Sequence, residues 1–254
     1  MQIFHALVLG FVEGITEFLP ISSTAHLIIV STLLKLPQNE VVTLFEVFIQ
    51  LGAIMAIVAL YWKLVWTHRR YFMMALAGFL PTAVIGVFFY EIVKNIFFQS
   101  TVLIAFALVV VGLLFIIVEK LHLPLHKTLR DLTYHDAIIC GIAQSFALLP
   151  GVSRVGVVLI VMLLMRYKRA DAAVFSFLIA VPTMLGASAL DFVKTDAGLL
   201  TSNVMVTLAI GAAAAFATAL VSVKWLVGFL QKHDLQGFAF YRIALGFSLL
   251  FLHL

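Results

Sequence analysis

Six stretches of the chain, 47–62, 71–90, 96–118, 172–190, 197–223 and 243–254, contain no Asp, Glu, Lys or Arg. Most are close to the roughly 20 residues that an α-helix needs to cross about 30 Å of hydrocarbon. A single apolar run of that length satisfies its backbone N–H and C=O groups without water by coiling into a helix. The chain is therefore expected to be an all-α integral membrane protein with six transmembrane helices. Composition points the same way: of 254 residues, 64% are hydrophobic and 11% charged, whereas soluble domains carry about 25% charged residues. A water-soluble fold is excluded. No polar or Pro/Gly-rich linker divides the chain, so 1–254 reads as one membrane domain.

Two further apolar stretches, 3–34 and 137–165, are interrupted near their middles by Pro20-Ile21-Ser22-Ser23 and by Pro150-Gly151-Val152-Ser153-Arg154. The piece after the second break, Val155 to Met165, would be about 17 Å long at 1.5 Å per residue, roughly half the hydrocarbon thickness. Each stretch is expected to form a re-entrant helical hairpin. The alternative is one long helix kinked at its proline, as membrane helices allow. Arg154 favours the hairpin, because at mid-membrane it would cost at least about 2.5 to 3.5 kcal/mol facing lipid. It is expected to face a protein-lined polar cavity.

The basic residues test this layout. Eleven, from Lys63, Arg69 and Arg70 through to Lys224 and Lys232, fall in loops on one side, against Lys35, Lys94 and Lys194 on the other. The positive-inside rule places the first side in the cytoplasm and both termini outside. The net charge of +4 is thereby read as topology rather than as a mark of an anionic partner. The apolar start, 1–12, runs straight into Glu13 and Glu17 without a basic leader, so it is expected to stay in the mature protein. The lone Cys140 lies in an apolar run and reads as a packing residue.

The two halves match at an offset of 130: His5 with His135, Pro20 with Pro150, Ser23 with Ser153, Phe45 with Phe175. Repeat 1 covers about 1–125 and repeat 2 about 131–254, each with one hairpin and three spans. An odd number of spans inverts the second copy, so the hairpins are expected to meet from opposite faces near the midplane, where inverted-repeat folds bind their ligands.

Polar residues inside such a fold need partners. Glu13 and Glu17 lie four apart, on one helix face with β-carbons about 5 to 6 Å apart. Like charges that close call for a cation between them or a shared proton. A divalent cation, Mg²⁺ or Ca²⁺, suits the oxygen ligands; the alternative is a helix at the interface with both side chains in water. Beyond the first break come Ser22, Ser23 and His26. Capping a half-helix accounts for one hydroxyl, and His26, three residues past Ser23, stands as a base stands to a nucleophile or as a structural imidazole. Beyond the second break come Ser153 and Arg154, where helix amides and a guanidinium fork attract phosphate. Carboxylates, hydroxyls, imidazole and guanidinium together form an inventory for phosphoryl transfer.

The segment Glu13-Gly-Ile-Thr-Glu17-Phe-Leu-Pro20-Ile-Ser-Ser-Thr-Ala-His26 closely resembles the first signature of the undecaprenyl-diphosphate phosphatase family, associated with bacitracin resistance. Phe45-Glu46-Val-Phe-Ile-Gln50-Leu-Gly52, Leu149 to Arg154, and Phe175 to Pro182 resemble further family segments, in family order. The resemblance implies six spans with two re-entrant hairpins and hydrolysis of a polyprenyl diphosphate left after cell-wall polymer synthesis. It implies a multi-pass protein of the bacterial inner membrane, with its site open to the outer face. By it Glu13 and Glu17 belong to the metal-associated motif, and Ser23, His26 and Glu17 to the chemistry. Arg154, Ser153 and Ser22 would bind diphosphate, with Glu46 and Gln50 in support. Expected partners are the lipid diphosphate, membrane lipids and a second copy in a homodimer, with no nucleic acid.

In one place the chain departs from the family pattern Pro-Gly-x-Ser-Arg-Ser-Gly-x-Thr: Val155 and Val158 stand where Ser and Thr are expected. If both hydroxyls faced the Arg154 pocket, each giving a phosphate hydrogen bond of about 1 kcal/mol, their loss would weaken binding about 30-fold. The competing function is a transporter or flippase of a phosphorylated lipid or small anion, since paired broken helices are a transporter trait. A noncatalytic scaffold would leave the carboxylate pair and Arg154 without a purpose.

Overall fold

A computed structural model of the chain describes residues 2–37, 39–92, 100–194 and 201–251. Lys94, the starts of the runs 96–118 and 197–223, and the last three residues of 243–254 lie outside the described residues. Ten α-helices are described: α1 (Ile3–Thr16), α2 (Ser23–Leu33), α3 (Glu40–Thr67), α4 (Arg69–Ile92), α5 (Thr101–Lys120), α6 (Tyr134–Gln144), α7 (Arg154–Leu164), α8 (Arg169–Lys194), α9 (Ser202–Leu230) and α10 (Gln236–Phe251). Their starts follow capping chemistry. Asn39, Ser100 and Thr201 each accept a hydrogen bond from the amide three residues on, and Thr133 with Asp136 closes a capping box ahead of α6.

Five helices, α3, α4, α5, α8 and α9, are long and apolar enough to cross a membrane. The sixth expected span differs. Its helix, α10, starts at Gln236, seven residues ahead of the charge-free run, and its 16 described residues take in Arg242. At 1.5 Å per residue that is about 24 Å. The outer surface is apolar: Phe88, Val87 and Val221 are 78%, 72% and 70% exposed. That is what lipid, rather than water, tolerates over a whole protein face.

Each interrupted stretch is two helices and not one kinked helix. α1 and α2 are separated by turns through Pro20, and α6 and α7 by a short 3-10 turn (Ser145–Leu148) and the turn through Gly151. Ser22 and Ser153, the residues that cap α2 and α7, both have φ of 71°, and Gly151 has φ of 94°. By position and backbone geometry, Ser153 as the cap of α7 parallels Ser22 as the cap of α2, a spacing of 131 beside the offset of 130 in the residue matches.

Close helix contacts hold the broken segments in place. α1 packs on α9 and α6 on α4. A Cβ on Gly10 would overlap the carbonyl oxygen of Gly211, and one on Gly141 would overlap that of Gly78. Ser222 Oγ donates to the Gly14 carbonyl at 2.8 Å, and Thr82 Oγ1 to the Gly141 carbonyl at 2.8 Å. Small residues let membrane helices approach to backbone contact, and hydroxyls then add interhelical hydrogen bonds. α5 packs on α10, and α3 on both α8 and α9. Among the described residues the largest buried apolar cluster runs from Phe18 and Ile54 through Phe115, Val155 and Phe177 to Phe238, and it takes in Leu19, Ile21 and Val152 at the two breaks.

Candidate active site

The end of α1 carries both carboxylates. Glu13 is fully buried, and Glu17 ends the helix, its N–H bonded to the Glu13 carbonyl at 2.8 Å. The chain then turns through Pro20 and re-enters a helix at Ser23. A side chain in the first turn of a helix leans back toward the N-terminus, and Ser23 Oγ accordingly donates a short hydrogen bond to Glu17 Oε2. From the other break Arg154, the first residue of α7, brings Nη2 to Glu17 Oε1 at 2.7 Å. One carboxylate thus joins residues 137 positions apart, and both half-helices. The Arg154 side chain keeps 21% of its surface open against 5% for Glu17, so the ion pair has a reachable face.

Ser22 and Ser153 serve first as caps: Ser22 Oγ accepts from Ala25 N–H at 3.5 Å and Ser153 Oγ from Gly156 N–H at 3.2 Å. Each hydroxyl proton remains to donate elsewhere. The three-residue spacing predicts that His26 faces Ser23. Instead His26 Nδ1 folds back to the Ser22 carbonyl oxygen at 2.7 Å, and Nε2 meets the Tyr241 hydroxyl at 2.6 Å. Glu46 accepts from Ser31 Oγ at 2.9 Å, and Gln50 is half-buried one turn further along α3.

Glu13 has an unusual position. Both its carboxylate oxygens are buried and lack a hydrogen-bond partner among the described residues. A carboxylate in that state calls for a cation or a proton. Among the described residues no group of three or more His, Cys, Asp or Glu could hold a metal ion. The oxygen chemistry of Glu13 and Glu17 would suit a hard divalent cation, which these two side chains would hold only in part.

Two residues of the site escape sequence reasoning. Arg242 is fully buried and donates to the carbonyls of Pro20, Gly151 and Val152; Tyr241 reaches His26. A signal existed in Arg242, a cation directly beside an apolar run. It works in the sequence as the edge of that run, which hides its need for a partner.

Residues 6–248 match the family model described as bacitracin resistance protein BacA. The chain belongs to the BacA family. It is similar over nearly its whole length to several curated relatives. The undecaprenyl-diphosphatase of Bdellovibrio bacteriovorus is 38% identical over 256 residues, covering 99% of this chain and 96% of that protein. That of Campylobacter fetus is 40% identical over 252 residues, covering 97% of each. That of Sulfurihydrogenibium sp. is 41% identical over 249 residues, again covering 97% of each. Against the BacA-family pattern, Val155 and Val158 are 1% and 0% exposed and belong to the main apolar cluster. Hydroxyls there would lie in the core, not in the Arg154 pocket, which removes the basis for a 30-fold loss of phosphate binding.

Proposed function

We propose that the chain hydrolyses undecaprenyl diphosphate to the monophosphate and inorganic phosphate, recycling a lipid carrier for cell-wall synthesis. It is a membrane hydrolase of the polyprenyl-diphosphate phosphatase type, the activity its relatives are named for. The observation that carries the mechanism is the Ser23 hydrogen bond to Glu17, with Arg154 on the same carboxylate. A serine hydroxyl becomes a useful nucleophile when a neighbouring base takes its proton, and Glu17 already accepts that hydrogen bond. Ser23 Oγ attacks the terminal phosphorus and its proton passes to Glu17. The bond from that phosphorus to the bridging oxygen breaks, and its electron pair leaves on the lipid monophosphate. Water then cleaves the phosphoserine, giving its hydroxyl to phosphorus while Ser23 Oγ regains a proton through Glu17.

Arg154 offers a planar fork to the phosphoryl oxygens, and the Ser22 and Ser153 hydroxyls and the first amides of α2 and α7 add donors. His26 is the second proton-transfer group, acting through Nε2. Glu13 with Glu17 would hold the divalent cation, Mg²⁺ or Ca²⁺, which when bound neutralises phosphoryl charge. The test is acid quenching with substrate labelled in its terminal phosphate. Labelled wild-type protein and unlabelled Ser23→Ala are expected; full turnover with no labelled wild-type protein would assign the attack to water.

The architecture is read as six spans with two re-entrant hairpins in an inverted repeat, multi-pass in the bacterial inner membrane, with the site open to the outer face. The shared φ of Ser22 and Ser153 supports this, as does the parallel between α1 on α9 and α6 on α4. Under the spacing of 131 the counterpart of Glu13 is Gln144, bonded to Thr82 and Thr183 at 3.0 and 2.9 Å, so one hairpin alone carries the acidic pair. A homodimer belongs to the same proposal and is read by native mass spectrometry. The names of the relatives described above give the transporter alternative no support.

A further inference from the structure

α10 brings two side chains to the site that hydrolysis, as laid out, leaves without a role. Arg242 heads the fully buried side chains by volume and has no acidic partner among the described residues. A buried guanidinium without an acidic partner is costly unless hydrogen bonds to other acceptors offset its desolvation. Its acceptors here are main-chain carbonyls: Nη1 donates to Pro20 at 3.0 Å, and Nη2 to Gly151 at 2.6 Å and Val152 at 3.2 Å, while Nε is buried without a partner among the described residues. Pro20 lies two residues before the cap of α2, and Gly151 and Val152 lie just before the cap of α7. One rigid fork therefore holds both chain segments that lead into the half-helices. The guanidinium carbon sits 5.8 Å from the centre of the Phe115 ring, which closes the space on its other side.

Its neighbour Tyr241 fixes the imidazole. The Ser22 carbonyl can only accept, so His26 Nδ1 carries a proton, and in the neutral ring Nε2 accepts from the Tyr241 hydroxyl. The two rings are parallel within 2°. The groups that act on His26 are the Tyr241 hydroxyl and the Arg242 charge, both from α10, while Glu17 and Arg154 pair with each other.

We propose that Tyr241 and Arg242 are positioning residues. Arg242 sets the separation of the two half-helix N-termini that receive the diphosphate, and Tyr241 orients the His26 ring by its contact with Nε2, the nitrogen left to take a proton once the Ser22 carbonyl has placed the other proton on Nδ1. The kinetic side rests on the phosphatase reading; the geometric side does not.

The test compares Arg242→Lys, Arg242→Gln and Tyr241→Phe in detergent, by phosphate release from farnesyl diphosphate and by thermal stabilisation with inorganic diphosphate. Lysine keeps the charge but carries its donors on one nitrogen and cannot span both breaks. Arg242→Lys is expected to lose about 100-fold in kcat/KM, mostly through KM, as an ångström-scale misplacement does, and to lose the diphosphate stabilisation. Tyr241→Phe is expected to lower kcat about tenfold with KM within about twofold of wild type, part of what a positioned acid–base group supplies. Wild-type KM and stabilisation in folded Arg242→Lys would reduce Arg242 to a buried charge and overturn the proposal. So would two unfolded Arg242 variants beside a wild-type Tyr241→Phe, which would make α10 a strut. A wild type that binds inorganic diphosphate but releases no phosphate would sink the phosphatase reading alone; the positioning claim is then decided by stabilisation.

Discussion

At the scale of single residues, the site converges on Glu17, which accepts the Ser23 hydrogen bond and pairs with Arg154. Glu17→Gln keeps shape and loses the base, and its kcat is expected to fall about 10²- to 10⁴-fold. Glu13→Gln is expected to leave Arg154 paired yet flatten the dependence of activity on added Mg²⁺ or Ca²⁺; an unchanged metal titration would remove Glu13 from the cation site. These identities are legible in the sequence because an ionisable residue in an apolar run must have a partner. The partners are not legible. Spacing addresses neighbours within a helical turn, whereas Ser23 meets Glu17 across a break and Arg154 meets it from 137 positions away. Arg242 is harder still, since its acceptors are carbonyls that no side chain announces.

At the scale of elements, the carboxylates are placed by how closely α1 lies on α9. A Cβ on Gly14 would overlap Thr218 Oγ1 and the Ala215 carbonyl, whereas one on Gly228 meets nothing within 4 Å. Gly14→Ala is therefore expected to lower the Tm and cut activity at least about tenfold by pushing Glu13 and Glu17 out of register. Gly228→Ala should behave as wild type; equal effects in both would deny that this contact positions the site. The prolines and serines mark both breaks in the sequence, because a proline lacks an N–H and a serine caps the half-helix after it. Helix lengths are less readable. α3 runs from Glu40 to Thr67 with Glu46 and Lys63 inside it, about 42 Å at 1.5 Å per residue. Charge-free runs locate the hydrocarbon, not the helix ends.

For the whole molecule, the basic asymmetry and the paired breaks describe one arrangement, a half-helix from each part of the chain converging on Glu17. Reporters at either terminus are expected outside and one in the loop between Lys63 and Arg70 in the cytoplasm; cytoplasmic termini would overturn the span count and the inversion together. The convergence would serve hydrolysis or passage of a phosphorylated lipid, and the Ser23 hydrogen bond to Glu17 favours the first. The direct measurement is inorganic phosphate released from undecaprenyl diphosphate by the purified protein, beside Ser23→Ala and with and without chelator. Steady multiple-turnover release by the wild type, lost in Ser23→Ala and suppressed by chelator, is the expected result. Binding of the lipid without phosphate release at any metal concentration would contradict the account.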